Sequence, residues 1–210
     1  MILCDIGNSD AKILQDSDFS SLSFEKLALF ESIEKVFYIN VNENAKALIA
    51  QKINFINLEP YFKFDTIYRG LGIDRIAACY TIEDGVVVDA GSAITIDIIS
   101  HSMHLGGFIL PGIAHYRKAF AEISPRLKCE LNTQLSLDAF PQRTIDALSY
   151  GVFKSIYLLI QNAALNKKLY FTGGDGQFLA NFFDKAIYDK LLVFRGMKRV
   201  LEENPQLLAK

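Results

Sequence analysis

The chain has 210 residues, half of them hydrophobic and 22% charged, with a formal net charge of −2. That length suits two small domains, and the apolar fraction supports a substantial core. The near balance of charge, with no basic block, excludes broad electrostatic binding to nucleic acid or anionic membranes. Cys4, Cys79 and Cys129 are too widely and irregularly spaced for a disulfide framework or a zinc site. Asp5 comes too early for the n-region and h-region of a signal peptide. No apolar run is long enough to span a bilayer. The expectation is a soluble cytoplasmic protein.

In chain order, residues 1–6 and 11–14 read as strands flanking a turn, and 36–41 ("VFYINV") as a third strand. Residues 42–52 read as a helix capped by Asn42 or Asn44. "INFIN" follows as a strand, and "DRIAACYTIED" as a helix behind the loop that holds Gly70 and Gly72. The scheme then restarts. Residues 86–89 and 95–100 are strands rich in β-branched residues, and "HLGGFIL" leads to Pro111, where a helix is expected to begin. A long helix is expected over 143–166, then strand, Gly-rich turn and helix in "KLYFTGGDGQFLANFF". A terminal helix ends at Pro205. The pattern predicts an α/β protein in two halves, 1–82 and 83–210, joined tightly near residues 80–85.

The restart carries chemistry with it. "CDIGNSDAK" and "VDAGSAITID" both place Asp-x-Gly directly after an apolar strand and before a polar or small turn. Taken singly, each is an ordinary hairpin turn. A carboxylate at the end of a buried strand is costly, however, unless it faces a functional site. Gly after that carboxylate lets backbone N–H groups approach a phosphate closely. The carboxylate itself repels phosphate and belongs there only with a cation between them. Two such turns, at Asp5 and Asp89, form a candidate clamp for a nucleotide polyphosphate and its metal. Lys12 supplies a point charge for a terminal phosphate.

Three further motifs join them. In "YFTGGDG", Gly173 and Gly174 lie between strand and helix, where a nucleoside can rest against bare backbone; the motif is neither a dinucleotide fingerprint nor a Walker A loop. In "GLGIDRIAA", Asp74 is a candidate general base and Arg75 a candidate anchor for a substrate carboxylate, unless both merely dress a helix start. "GGFILPG" is a strand entering a helix. His101, His104 and His115 lack metal-ligand spacing and are assigned to the surface or to supporting positions.

Taken in order, "DIGNSDAK", "GLGIDR", "VVDAGSAITID", "GGFILPG", "RTIDALSYG" and "FTGGDG" closely resemble the type III pantothenate kinases. These belong to the superfamily of acetate and sugar kinases, Hsp70 and actin. The resemblance implies two ribonuclease-H-like domains, each with a central mixed β-sheet flanked by helices, and ATP in the cleft between them. It implies transfer of the γ-phosphate of ATP to pantothenate, giving 4'-phosphopantothenate, the first step towards coenzyme A. The first phosphate loop would run from Asp5 through Ile6, Gly7, Asn8, Ser9, Asp10 and Ala11 to Lys12, with Asp5 holding Mg²⁺ through water. Asp74 would take the proton of the pantothenate hydroxyl. Tyr68, Gly72, Ile73, Asp74 and Arg75 would line that substrate. Asp89 would bind the monovalent cation, K⁺ or NH₄⁺, and Ser92 would face ATP. Gly173 and Gly174 would meet the nucleoside, and Thr144 would reach pantothenate across a homodimer.

The chain departs from the family pattern at Ser9 and Ser92, where threonine is usual, and in its shorter length. Tyr68 also lies closer to the Asp-Arg pair than the family's tyrosine does. Two other functions stay open on sequence alone. One is a kinase of the same superfamily acting on a sugar or acetate. The other is a nucleotide-binding regulatory protein without turnover, since the family has also been described as accessory factors for transcription.

Overall fold

The computed structural model describes residues 1–209. The chain divides into two compact units. One comprises Met1–Glu83, Ile99–Gly106 and the residues from Leu191 onward; the other comprises Asp84–Ile98 and Gly107–Lys190. The C-terminal helix therefore belongs with the first unit, although its sequence position suggested the second half.

In the first unit, β1 (Ile2–Ile6), β2 (Ala11–Gln15), β3 (Asp18–Leu22), β4 (Val36–Asn40) and β5 (Phe55–Asn57) form one sheet, ordered β3-β2-β1-β4-β5. The first three strands are antiparallel neighbours, whereas β4 and β5 run parallel to β1. β1 is central and buried along its whole length, which is why it reads as an apolar run broken only by Asp5. Its even-numbered residues Ile2, Cys4 and Ile6 pack with Leu27 of α1 (Phe24–Leu29) and Ile49 of α2 (Lys46–Ile49). Strand alternation turns Leu3 and Asp5 to the opposite face. There, α7 (Leu192–Glu203) packs on β1 and α3 (Ile73–Cys79) on β4.

α7 buries Val193, Met197, Val200 and Leu201, a spacing that makes one apolar face. Gly196 brings this face onto α3: a Cβ there would overlap the Ala77 carbonyl oxygen and lie 2.8 Å from its carbon. The helix expected over 42–52 is shorter than anticipated. Asn42 caps a 3₁₀ turn, Glu43–Ala45, and only Lys46–Ile49 is α-helical.

The second unit repeats the topology. Its sheet contains β6 (Gly85–Ala90), β7 (Ala93–Ser100), β8 (Met103–Pro111), β9 (Leu169–Thr172) and β10 (Ile187–Tyr188), ordered β10-β9-β6-β7-β8, with the tip of the β7–β8 hairpin, Ile99–Gly106, counted in the first unit. Read from its first strand, this is the arrangement of the first sheet: two hairpin-linked strands on one side, two parallel returns on the other. Val86, Val88 and Ala90 of β6 pack against α5 (Thr144–Ala164) and α6 (Gly176–Ala180). α5 contributes Val152, Phe153, Ile156 and Ile160 at helical spacing. α4 (Ile113–Ile123) begins after Gly112, so Pro111 ends β8 and does not open the helix.

Candidate functional site

Asp5 and Asp89 occupy the same place in their two sheets, the penultimate residue of the central strand. Both Asp-x-Gly turns join neighbouring strands of a sheet, as hairpin turns do. In the first, the Gly7 N–H donates to the Asp10 carbonyl at 3.0 Å, leaving Asn8 and Ser9 exposed at the tip. Asp5 is 5% exposed, and its register partner on β2 is Lys12, whose Nζ lies 3.9 Å from Oδ2. The pair therefore sits on one face of the sheet at the open end of β1. Ile6 and Ala11 are fully buried in the core, so only their backbone is available to a ligand. Burial pushes the thiol of neighbouring Cys4 up, with the Asp5 charge adding to it, which keeps that cysteine unreactive.

Sequence spacing marks Asn42 only as a helix cap, and in the structure it does more. Its Oδ1 accepts from Asn44 and Ala45, while Nδ2 donates to the Gly7 and Asn8 carbonyls, both at 3.4 Å. It thereby braces the first loop from the end of β4, a link that no local motif reveals. The next residue back, Val41, donates its N–H to the Ile6 carbonyl at 3.0 Å. A Cβ on Gly72 would lie 3.9 Å from Val41 Cγ1 and 2.5 Å from Asp74 Oδ1. The start of α3 is thus packed beside the end of β1, and Gly72 gives the Asp74 carboxylate its room.

Asp74 Oδ1 accepts from the Arg75 N–H at 2.8 Å. Arg75 is 5% exposed, and its guanidinium carbon lies 5.0 Å from the centre of the Tyr68 ring. Tyr68 and Arg75 are thus brought together across the 69–72 loop. Ile73 faces the core, so it can meet a ligand only through backbone. His104, expected at the surface or in a supporting position, is buried.

In the second unit, Gly173 follows β9 with φ +85° and lies directly against the Asp89 carboxylate and the Ala90 carbonyl. The Asp175 N–H donates to that same Ala90 carbonyl at 2.9 Å. The "FTGGDG" turn is therefore docked on the end of β6, with Gly174 exposed beside it. Burial pushes the Asp175 carboxyl up. Gly112 explains the "LPG" motif: its N–H donates to the Ser92 carbonyl at 3.0 Å. A Cβ there would overlap the Gly91 carbonyl and come within 2.6 Å of that of Ser92. The 91–92 turn is supported by the start of α4, and Ser92 is exposed.

Thr144 is exposed at the first residue of α5. Two residues further on, Asp146 has a role that its sequence surroundings do not single out. It accepts from Arg143 Nε at 2.7 Å and Asn132 Nδ2 at 2.8 Å. The Arg143 guanidinium, then Asn132, hold its carboxyl below the ordinary range. Asp146 thereby ties the preceding loop to the helix start that presents Thr144.

Among the described residues, no group of three or more His, Cys, Asp or Glu side chains is placed to hold a metal ion. Such a cage is not needed by Mg²⁺ that travels with a nucleotide, which uses one or two carboxylates plus phosphate oxygens. Asp5 suits that part. Among the same residues no helix is long and apolar enough to cross a membrane.

Two mixed sheets of identical strand order, each with a carboxylate at the end of its central strand, define the duplicated ribonuclease-H-like fold of the actin-like ATPases. The solved ParM protein of pSK41 and MreB 5 of Spiroplasma citri share this fold, each with a TM-score of 0.50, at 10% and 9% identity. They cover 100% and 99% of this chain, and 98% of each of those chains is matched.

A profile for type III pantothenate kinase matches residues 22–165. A type III pantothenate kinase of Campylobacter jejuni is 72% identical over 99% of this chain and 100% of its own length. That of Wolinella succinogenes is 50% identical over 97% of both. A Campylobacter jejuni crystal structure, assigned to the Baf family of transcriptional activators, superposes with a TM-score of 0.92. It is 69% identical, over 98% of this chain and 100% of that one. The chain belongs to the type III pantothenate kinase family.

Proposed function

We propose that this chain transfers the γ-phosphate of ATP to the hydroxyl of pantothenate, giving 4'-phosphopantothenate for coenzyme A biosynthesis. The carrying observation is 72% identity with a type III pantothenate kinase along its whole length. The twin carboxylate turns and the Asp74–Arg75 helix start support it.

Phosphoryl transfer asks little covalent chemistry of a protein; it asks for in-line positioning and neutralised charge. Backbone N–H groups of the Asn8–Asp10 turn and the Lys12 ammonium serve the β- and γ-phosphates. Asp5 would hold the Mg²⁺ that accompanies ATP, and that ion would supply neutralisation of the phosphate charge. Asp89 would hold the monovalent cation, K⁺ or NH₄⁺, whose positive charge its carboxylate would balance. Ser92 donates to ATP, and Gly173 and Gly174 receive the nucleoside. Asp74 accepts the proton of the attacking hydroxyl. Arg75, packed on Tyr68, pairs with the pantothenate carboxylate. The helix α5 exposes Leu158 at 49% and Leu159 at 41%, a face suited to a second copy, with Thr144 reaching that copy's substrate. The reaction is assigned to the cytoplasm.

The test is coupled ADP release with pantothenate and Mg·ATP, with and without K⁺, for wild type and Asp74→Asn. Wild type should turn over with K⁺ present, and the variant should lose about 10²–10⁴-fold in kcat while still binding ATP. The rival reading is nucleotide binding without turnover; the similar Campylobacter structure is named as a transcriptional activator, whereas the full-length relatives are named as kinases. ATP binding by wild type with no phosphorylation of pantothenate would replace the kinase with that rival. Near-normal turnover in Asp74→Asn would remove Asp74 from its role.

A further inference from the structure

His104 is 1% exposed, although nothing in its sequence surroundings suggests a buried imidazole. Its main chain forms a lone bridge with Thr66, and its N–H donates to the Asp65 carbonyl at 3.0 Å. Its Nδ1 lies 2.7 Å from Thr66 Oγ1, and that oxygen also accepts the Tyr68 N–H at 3.0 Å. The ring is flanked by Phe64 and Tyr68, with centres 5.8 Å and 5.9 Å away. Tyr68 in turn carries the Arg75 guanidinium at 5.0 Å. Every member of this chain of contacts lies in one compact unit.

We infer that His104 and Thr66 form a clasp that positions Tyr68 against Arg75, and so sets affinity for the carboxylate-bearing substrate. Thr66 is the hinge of the clasp. Its hydroxyl bonds a side chain from a distant hairpin and, at once, the backbone of the substrate loop. Without it, the 66–68 turn loses the bond that holds the Tyr68 main chain, and the ring is free to leave the guanidinium. The guanidinium then loses the aromatic face it lies on, and a planar two-point contact with carboxylate depends on how that fork is fixed. ATP contacts none of these groups under the proposed function, so the effect should be confined to one substrate. His104 and Thr66 are positioning residues; they act on the substrate only through Tyr68 and Arg75.

The inference rests on the proposed function for the identity of the substrate, and its test separates the two. Amide exchange over residues 64–75 is compared in wild type, Thr66→Val, Thr66→Ser and His104→Phe, without any substrate. Loss of one hydrogen bond should speed Tyr68 N–H exchange by about three- to tenfold in Thr66→Val, with Thr66→Ser close to wild type. His104→Phe keeps the ring packing and should resemble Thr66→Val in direction. In steady-state assays, Thr66→Val should raise KM for pantothenate by about the same factor, with KM for ATP and kcat within about twofold. Thr66→Ser should restore it. Unchanged exchange in Thr66→Val overturns the clasp, whatever the enzyme's substrate. Faster exchange with an unchanged pantothenate KM in an active enzyme overturns the link to affinity. A wild type that fails to phosphorylate pantothenate overturns the proposed function, while the exchange data still judge the clasp.

Discussion

Gly173→Ala is the most direct perturbation of the glycine turn docked on Asp89. The residue has φ +85°, a conformation that costs a side-chain-bearing residue about 1–2 kcal/mol. A methyl there would also overlap the Ala90 carbonyl and lie 2.7 Å from its carbon, backbone that is already bonded to Asp175. Forcing a methyl into a packed site adds about 1–3 kcal/mol. The sum, about 2–5 kcal/mol, corresponds to a fall in Tm on the order of 10 °C. Relief of the overlap moves the 173–175 turn away from Asp89, so KM for ATP should rise by about tenfold or more. Gly174→Ala is the matched control. Nothing lies within 4 Å of a Cβ there, and its φ is not positive. Its stability should stay within about 0.5 kcal/mol of wild type. Any rise in its ATP KM then reports a nucleoside resting against the residue. Thermal melts and ATP titrations of both variants suffice. A Gly173→Ala protein that melts within about 1 °C of wild type would refute the claim that backbone closeness fixes this turn. An unchanged ATP KM in Gly174→Ala would remove that residue from the nucleoside site.

Two further outcomes concern stability. Gly196→Ala inserts a methyl against Ala77 of α3, so the α3–α7 contact must open, at about 1–3 kcal/mol in urea unfolding; an equal midpoint would show that the helices do not need that approach. The Asp146 carboxyl is held below its ordinary range, so its stabilisation is full above the unfolded pKa and is lost as pH falls through the lower folded one. Asp146→Asn should therefore be less stable than wild type at pH 7, because an amide brings no charge to the Arg143 guanidinium. The difference should shrink below about pH 4, as the wild-type carboxyl takes up its proton. A gap that stays constant from about pH 7 to about pH 3 would show that the Arg143–Asp146 charge pair contributes nothing.

How far the sequence could be read depends on where each element's partners lie. β1 and β6 were legible because a central strand is buried on both faces and so reads as a continuous apolar run, with its one carboxylate conspicuous. β3 was not, because "DFSSL" lies at a sheet edge with four of its five residues exposed and owes its conformation to pairing with β2. The two-residue β10 and the six-residue α1 are too short to carry a period. The candidate site divides in the same way. Asp5, Asp74, Asp89 and the glycines announce themselves because each breaks a local pattern: a charge in a strand, or a bare backbone beside it.

Asn42, His104 and Asp146 break no local pattern, and each acts on a segment brought near only by folding. Asn42 reaches the Gly7 turn, His104 reaches Thr66, and Asp146 reaches Asn132. The same holds for the pairing of Tyr68 with Arg75. The two are separated by a loop holding Gly70 and Gly72, which matches neither a helix face nor a strand face, so spacing alone gives no reason to join the side chains. What joins them is a loop folded back over α3 and clasped from behind by a histidine on another hairpin. Tyr68 can therefore stand nearer to Asp74 than in the family pattern and still lie on Arg75, because the clasp, rather than the distance along the chain, decides where the ring goes.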